Sequence, residues 1–514
     1  LPLALLSGVL LALSFPKFGH PAVAWLALTP LIVAVLRRPL RWRSAFALGG
    51  VAGAVCFTGT LYWLVETMTT FGGLATPLAV FAAGVLVAYL SLFPAAFAVI
   101  LARLTRSLGL RALALAPAVW VATELGRQYV WDGFPWELLG YSQVTVLPVA
   151  QVASVVGVYG LSGMLAAASA AAAYVALTAG ARRWIVAGSV AAAIGVCAVW
   201  GQARMTRNAL LSSGEPVRVA VLQGNVLQKD KEAAYLGDQQ MATAIMRRYL
   251  EMTRRAVDQG ATFVIWPESS TPFFFENDLA WGGTIRRLAA ESGATLLIGS
   301  DQVEPIKTAA PEQTRRVRLY NAAFLVKPDG SVGAVYRKMH LVPFGEYVPL
   351  QDLFFFVGPI VEAVSAFSPG TDPVLLPVGD HTVSTAICYE VIFPSLIRRF
   401  VNDGSELLTT ITNDAWYGRS SAAYQHWEQA SMRAIEGGRY LARSANTGIS
   451  GFVDPYGRVV ASAGLFEEAM LVEELRFLTD RTVYSRIGDL VAWLSLALTA
   501  AALLACTIPR RAGL

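Results

Sequence analysis

Cys388 stands between the alternating run His381-Thr-Val-Ser-Thr-Ala-Ile387 and the apolar stretch Val391–Phe400. The first pattern predicts a half-buried strand and the second a helix, so the thiol sits at a strand-to-helix turn, where terminal N–H groups favour thiolate over thiol. It is the single cysteine of residues 201–486. Cys56, Cys197 and Cys506 fall in apolar stretches and read as small buried hydrophobes. A lone cysteine has no partner for an intramolecular disulfide within its block, so an oxidising compartment gives it no structural job there. Two more groups carry charge at predicted strand ends. Val264-Ile-Trp-Pro-Glu268 sets a carboxylate just after an apolar strand, and Tyr336-Arg-Lys338 sets an ammonium before a Pro/Gly-rich loop that contains Phe344 and Glu346. Taken singly, the acid and the lysine read as solvated loop residues. Together, thiol, carboxylate and ammonium supply a nucleophile, a proton acceptor and an oxyanion stabiliser, the set that acyl transfer through a thioester requires.

Other chemistries find less support. A cysteine–histidine dyad would need His340, His381 or His426; although His340 lies two residues from Lys338, the dyad is not expected, because His381 begins the strand that Cys388 follows and His426 lies in a predicted helix without a ligand-spaced partner. No HExxH or CxxC pattern argues for a metal, and no GxGxxG or P-loop argues for a nucleotide, so neither metal nor cofactor is expected.

The elements that must position the three groups follow an α/β rhythm. Strands are predicted at 217–225, 261–268, 295–301, 319–326, 332–338, 381–387, 407–413 and 440–446, with helices at 233–259, 279–292 and 422–436 between them. Lys327-Pro-Asp-Gly330 and Asp454-Pro-Tyr-Gly457 are turn sequences that should close hairpins. Such alternation predicts a mixed sheet covered by helices.

Around this block the chain is of a different kind. Hydrophobic residues make up 55% of the sequence and charged residues 15%, with a mean hydropathy of +0.50, well away from the balance of a soluble domain. Apolar stretches near 1–15, 21–36, 45–65, 74–102, 110–126, 150–179, 184–200 and 487–508 predict eight membrane spans. The first, which opens at Leu1 with no basic flank and no A-x-A site behind it, is expected to be a retained span after a trimmed start. With a cytoplasmic N-terminus, the inside loops hold Arg37, Arg38, Arg41, Arg43, Arg103, Arg106, Arg111, Arg182, Arg183, Arg510 and Arg511, against Lys17 and Arg127 in the short outside loops. The positive-inside rule then places both termini in the cytoplasm and residues 201–486 on the far side, the periplasm of a bacterium. The division expected is a membrane part at 1–200, a catalytic part at 201–486, and a last span with its tail at 487–514. The net charge of +5 reflects the inside arginines and gives no support to a nucleic-acid partner. Glu66 and Glu124, near outer span ends, are expected to meet water. A transporter is disfavoured, since no internal repeat and few intramembrane charges are present.

Trp266-Pro-Glu268, Arg337-Lys338 and Ile387-Cys388-Tyr389-Glu390, with Asn413-Asp-Ala-Trp416-Tyr-Gly behind them, resemble the nitrilase superfamily. That likeness implies an αββα sandwich with Glu268 as general base, Lys338 at the oxyanion and Cys388 as nucleophile. Over nearly its whole length, including Gly133-Phe-Pro-Trp136 and Leu139-Gly-Tyr-Ser142, the chain is similar to the apolipoprotein N-acyltransferases. The resemblance implies a phospholipid donor, through the sn-1 chain of phosphatidylethanolamine, and as acceptor the α-amino group of an S-diacylglyceryl cysteine on a diacylated apolipoprotein. It makes Glu346 a partner of Lys338 or an aid to proton transfer, and gives Tyr389 and Glu390 a role in placing the donor or the oxyanion hole, with plain structural support as the rival reading. Trp416 reads as core on general grounds and as a substrate contact by resemblance. The apolar run Leu353-Phe-Phe355-Phe356-Val-Gly-Pro-Ile360 suits a lipid-dipping gate, so Phe355 and Phe356, with Phe344, are expected against the acyl chains. Phe273-Phe-Phe275 lines the same cavity or belongs to the core. The enzyme is expected to act as a monomer in the bacterial inner membrane among its lipids. The alternative is a membrane-tethered nitrilase-type amidase that acts on small amides.

Overall fold

The computed structural model describes residues 1–306, 317–343, 345–347 and 367–507. Phe344, Phe355, Phe356 and the rest of the 353–360 run lie outside the described residues.

Residues beyond the first helical region build two six-stranded sheets, not one. The first has the order β12-β1-β2-β3-β4-β5, from β1 (Glu215–Gln223), β2 (Phe263–Ile265), β3 (Thr295–Pro305), β4 (Val317–Val326), β5 (Val332–Arg337) and β12 (Ala469–Phe477). The second has the order β11-β10-β9-β8-β7-β6, from β6 (Leu376–Val378), β7 (His381–Ile387), β8 (Leu407–Thr412), β9 (Leu441–Ala445), β10 (Gly451–Val453) and β11 (Val459–Ser462). Alternation explains why they stack. Val219, Ile265, Leu297 and Ala323 share a core with Val383, Ile387 and Ile411 of the other sheet. Their neighbours Ala220, Val264, Leu296 and Phe324 face outward, into a core completed by helices Gln239–Asp258 and Leu279–Ser292. Strands apolar on both faces must be covered on both, and the helix–sheet–sheet–helix sandwich is the result.

Local chemistry sets the breaks. The helix predicted over 233–259 is two, Gln228–Tyr235 and Gln239–Asp258, parted at Gly237 (φ +107°), with Asp238 capping the second by accepting the N–H of Gln240 and Met241 at 3.0 Å. Both predicted turns close hairpins, on Gly330 (φ +79°) and Gly457 (φ +85°). Since β5 runs antiparallel to β4, and β4 to β3, β5 lies parallel to β2, and both end at one edge. Strands β7, β8 and β9 are mutually parallel.

A helix occupies each of the eight apolar stretches. By length and composition Trp42–Leu61, Thr76–Tyr129, Ala153–Leu177 and Arg182–Leu211 suffice to cross a membrane; Pro2–Ala12, Pro21–Leu36 and Leu490–Ala505 are shorter apolar segments. Glu66 is exposed as expected, but Glu124 is not. It is buried, and accepts the Trp120 indole N–H at 3.0 Å and the Leu139 N–H at 2.8 Å. The loop after its helix folds back over it and excludes water.

Helix Ala422–Gly437 joins the two parts. At nearly every turn it reaches the membrane part: Gln425 accepts the Trp136 indole N–H (2.9 Å), Gln429 donates to Glu137 (3.0 Å), and Arg433 donates to the Tyr141 hydroxyl (2.9 Å). Glu436 accepts the N–H of Val158 at 2.8 Å. That N–H follows Gly157 (φ +67°), a kink inside helix Ala153–Leu177. Only glycine suits it, because a Cβ there would lie 2.5 Å from the Tyr484 ring. Gly157→Ala should therefore lower stability by about 1–3 kcal/mol, read as a fall in the thermal midpoint of the detergent-purified chain; an unchanged midpoint would count against the kink's role in docking.

Candidate active site

Glu268, Lys338, Cys388 and Asn413 all sit within three residues of a strand's C-terminal end, on β2, β5, β7 and β8 respectively. The sandwich gathers those ends at one edge, where open α/β sheets present their ligand sites. Little of this reaches solvent: Glu268, Lys338 and Cys388 are 6%, 1% and 7% exposed.

Lys338 donates to Glu346 Oε1 at 2.7 Å and approaches Glu268 Oε1 at 3.5 Å. Asn321, from the middle of β4, bridges the two carboxylates, donating Nδ2–H to Glu268 at 2.7 Å and to Glu346 at 3.1 Å. Glu268 Oε2 accepts the main-chain N–H of Asn413 at 2.8 Å, and Glu346 Oε2 that of Val342 at 2.8 Å. Burial by itself would lower the Lys338 pKa, but Glu346 and Glu268 outweigh it and hold the group well above the usual lysine range. It stays an ammonium.

The Cys388 thiol is pushed up instead, first by burial and then by the Glu268 charge, with Lys338 opposing. Here the structure departs from the expected thiolate. The helix N-terminus that was to favour the anion is one short 3₁₀ turn, Cys388–Ile392, and Phe393 parts it from helix Pro394–Asp403. Burial thus favours the thiol over the thiolate.

Glu390 joins the Cys388 turn to the Lys338 strand. Its Oε1 accepts the Tyr336 hydroxyl at 2.7 Å and the N–H groups of Met339 (2.7 Å) and His340 (3.1 Å); its Oε2 accepts the Ile387 N–H at 2.7 Å. Burial raises its carboxyl to about 7 despite these donors. Tyr389 is buried, with its hydroxyl donating to the Gly133 carbonyl (3.3 Å) and its ring 6.2 Å from Phe134. The Gly133–Trp136 segment of the membrane part thus lies against the residue next to the nucleophile. Trp416 is 37% exposed and meets Phe71 edge-on at 5.6 Å, so it is not core; its carbonyl accepts the Thr67 hydroxyl at 2.8 Å. Phe275 packs on Phe324 in the outer core and is removed from the site.

Three groups escaped the sequence reading. Asn321 was signalled only by an amide inside an apolar strand. Lys231 is buried, and donates to the main-chain carbonyl of Glu268 at 3.3 Å; burial lowers it to about 8. His426 meets the carbonyl of Cys388 at 3.1 Å, not its sulfur. No cluster of three metal-ligating side chains occurs among the described residues.

Comparison with known proteins covers both parts. The family model for the apolipoprotein N-acyltransferase N-terminal domain matches residues 7–171, and that for carbon-nitrogen hydrolase matches residues 218–479. An apolipoprotein N-acyltransferase of Geobacter metallireducens is 38% identical over 96% of this chain and 92% of its own length. One from Methylococcus capsulatus is 33% identical over 99% and 96%. Among solved structures, an amidase from Nesterenkonia sp. is 23% identical, with 52% of this chain and 93% of that chain covered and a TM-score of 0.38.

Because the thiol is raised, alkylation of Cys388 by iodoacetamide in the resting enzyme should keep rising through pH 7 to 9, by about tenfold per unit. A plateau below pH 8, followed by mass spectrometry of the Cys388 peptide, would mean a preformed thiolate. Glu390→Gln must turn an amide donor toward one of the N–H groups now accepted, at a cost of about 1–3 kcal/mol, visible as a lower thermal midpoint together with reduced turnover.

Proposed function

The chain belongs to the apolipoprotein N-acyltransferase family, and from that premise we propose that Cys388 carries the acyl chain between two lipid substrates. The enzyme is an acyltransferase of lipoprotein biosynthesis, with a nitrilase-like part and a helical part that holds membrane-spanning apolar helices. The observation that carries the proposal is the convergence of Glu268, Lys338 and the buried Cys388 at one sheet edge.

In the first half-reaction Glu268 takes the Sγ proton as the sulfur attacks the ester carbonyl of a phospholipid. A C–S bond forms, negative charge develops on the carbonyl oxygen, and collapse breaks the C–O bond. The proton passes from Glu268 to the departing lysophospholipid oxygen. In the second half the acceptor's α-amine attacks the thioester, the C–N bond forms, the C–S bond breaks, and Glu268 moves the amine proton back to sulfur. Lys338 spends two N–H groups on Glu346 and Glu268 and turns the third to the oxyanion. Glu346 and Asn321 keep the ammonium in place.

The donor is phosphatidylethanolamine through its sn-1 chain, and the acceptor the amino group of S-diacylglyceryl cysteine. Arginine placement supports eight spans with both termini cytoplasmic and residues 201–486 in the periplasm of the inner membrane. Trp416, at the seam with Phe71, suits contact with a lipid substrate, and the protein works as a monomer.

Purified protein incubated with phospholipid should gain one acyl group on Cys388, discharged by a diacylglyceryl-cysteine peptide, with ping-pong kinetics. Cys388→Ser should show no labile thioester. Sequential kinetics with no adduct, or hydrolysis of a short amide as fast as lipid turnover, would reject the proposal. Lys338→Ala should lose ~10² to 10³ in rate, as for one oxyanion donor.

A further inference from the structure

Cys388 is a non-glycine residue in the left-handed region, at φ +53°. Such a conformation costs of order 1–3 kcal/mol and persists only where the surroundings over-determine it. Here the main chain is held on both sides. One peptide unit before the turn, the Ile387 N–H is taken by Glu390. Behind it, the Cys388 carbonyl faces His426 Nε2 at 3.1 Å.

The tautomer of His426 follows from its neighbours. A carbonyl only accepts, so Nε2 carries the hydrogen. On the other side Nδ1 meets Arg443 Nη2, a donor, at 3.0 Å and Asp414 Oδ1, an acceptor, at 3.1 Å. Both nitrogens are spent. Burial and then Arg443 lower its pKa, while Asp414 opposes them. Arg443 is itself fixed by Asp414 at 2.8 Å and by donating to the Ile449 carbonyl at 3.2 Å, and Asp414 accepts the Thr412 hydroxyl at 2.8 Å. All three charged or titratable side chains are buried. Asn413, between Thr412 and Asp414, supplies the N–H that holds Glu268. One turn after β8 therefore fixes the base on one side and, through Asp414, Arg443 and His426, the main chain of the nucleophile on the other.

We infer that His426 is a positioning residue for the transfer reaction: its Nε2–H clamps the Cys388 carbonyl, holds the left-handed turn, and aims Sγ between Glu268 and the incoming carbonyl carbon. The ring takes no part in proton transfer. This inference rests on the reading of Cys388 as nucleophile.

The test uses the full chain in detergent with phosphatidylethanolamine, following single-turnover acylation of the Cys388 peptide by mass. His426→Phe keeps a ring and loses the donor; acylation should slow by about a hundredfold, the scale of a misaimed reacting atom, with the half-saturating lipid concentration kept. His426→Gln offers an amide donor and should stay within about tenfold of wild type. A Phe variant that acylates at the wild-type rate overturns the inference. So does a folded Gln variant slowed more than about tenfold, which decides the matter alone if the Phe variant does not accumulate. Wild-type protein that forms no thioester sinks the nucleophile reading itself; a thioester formed equally by wild type and Phe variant sinks only the role of His426.

Discussion

One ammonium between two carboxylates, away from water, is the constraint on which the site depends. Lys338 alone would be costly to bury as a cation, and Glu268 and Glu346 alone would repel each other across the few ångströms that Asn321 spans. Each of the three makes the others tolerable. Burial first, and then the Glu268 charge, push the thiol beside them up, with Lys338 opposing. A site of this kind stays quiet until a substrate carbonyl arrives to accept electron density, and then has a base and an electrophile already in place.

Holding that arrangement requires the two sheets to stay in register with each other, and Glu390 does much of this. It gathers donors from the segment around Lys338 and from the strand end before Cys388, so the nucleophile and the ammonium share one buried anchor. The raised carboxyl of Glu390 is the electrostatic cost of placing that anchor in the interior. Lys231, on the main-chain carbonyl of Glu268, serves the base strand in the way that His426 serves the nucleophile.

Much of the chemistry was legible because strand ends announce themselves. Val264-Ile-Trp before Pro267, and the alternating run into Cys388, marked where side chains leave a sheet, and β7 and helix Leu279–Ser292 fall on the residues that periodicity chose. Alternation alone did not mark the division into two sheets, which only the αββα resemblance implied, since β6 and β10 are three residues long and β12 is an edge strand half-covered along its length, too weak in pattern to announce a second layer. Glu124 was misread for a related reason: a carboxylate near a span end meets water unless a distant loop folds over it, and the loop through Leu139 does so. His426 looked inert because its partners, Asp414, Arg443 and the carbonyl of Cys388, lie far along the chain and fit no short spacing. Trp416 reads as core by composition, yet the seam with helix Trp63–Thr70 leaves it partly open.

Helix Ala422–Gly437 carries the polar ladder to the membrane part on one stripe and His426 on the next. Those two grips are one residue apart, so a single helix ties the Cys388 turn to the apolar helices, and a shift of either part along that seam would carry the sulfur with it.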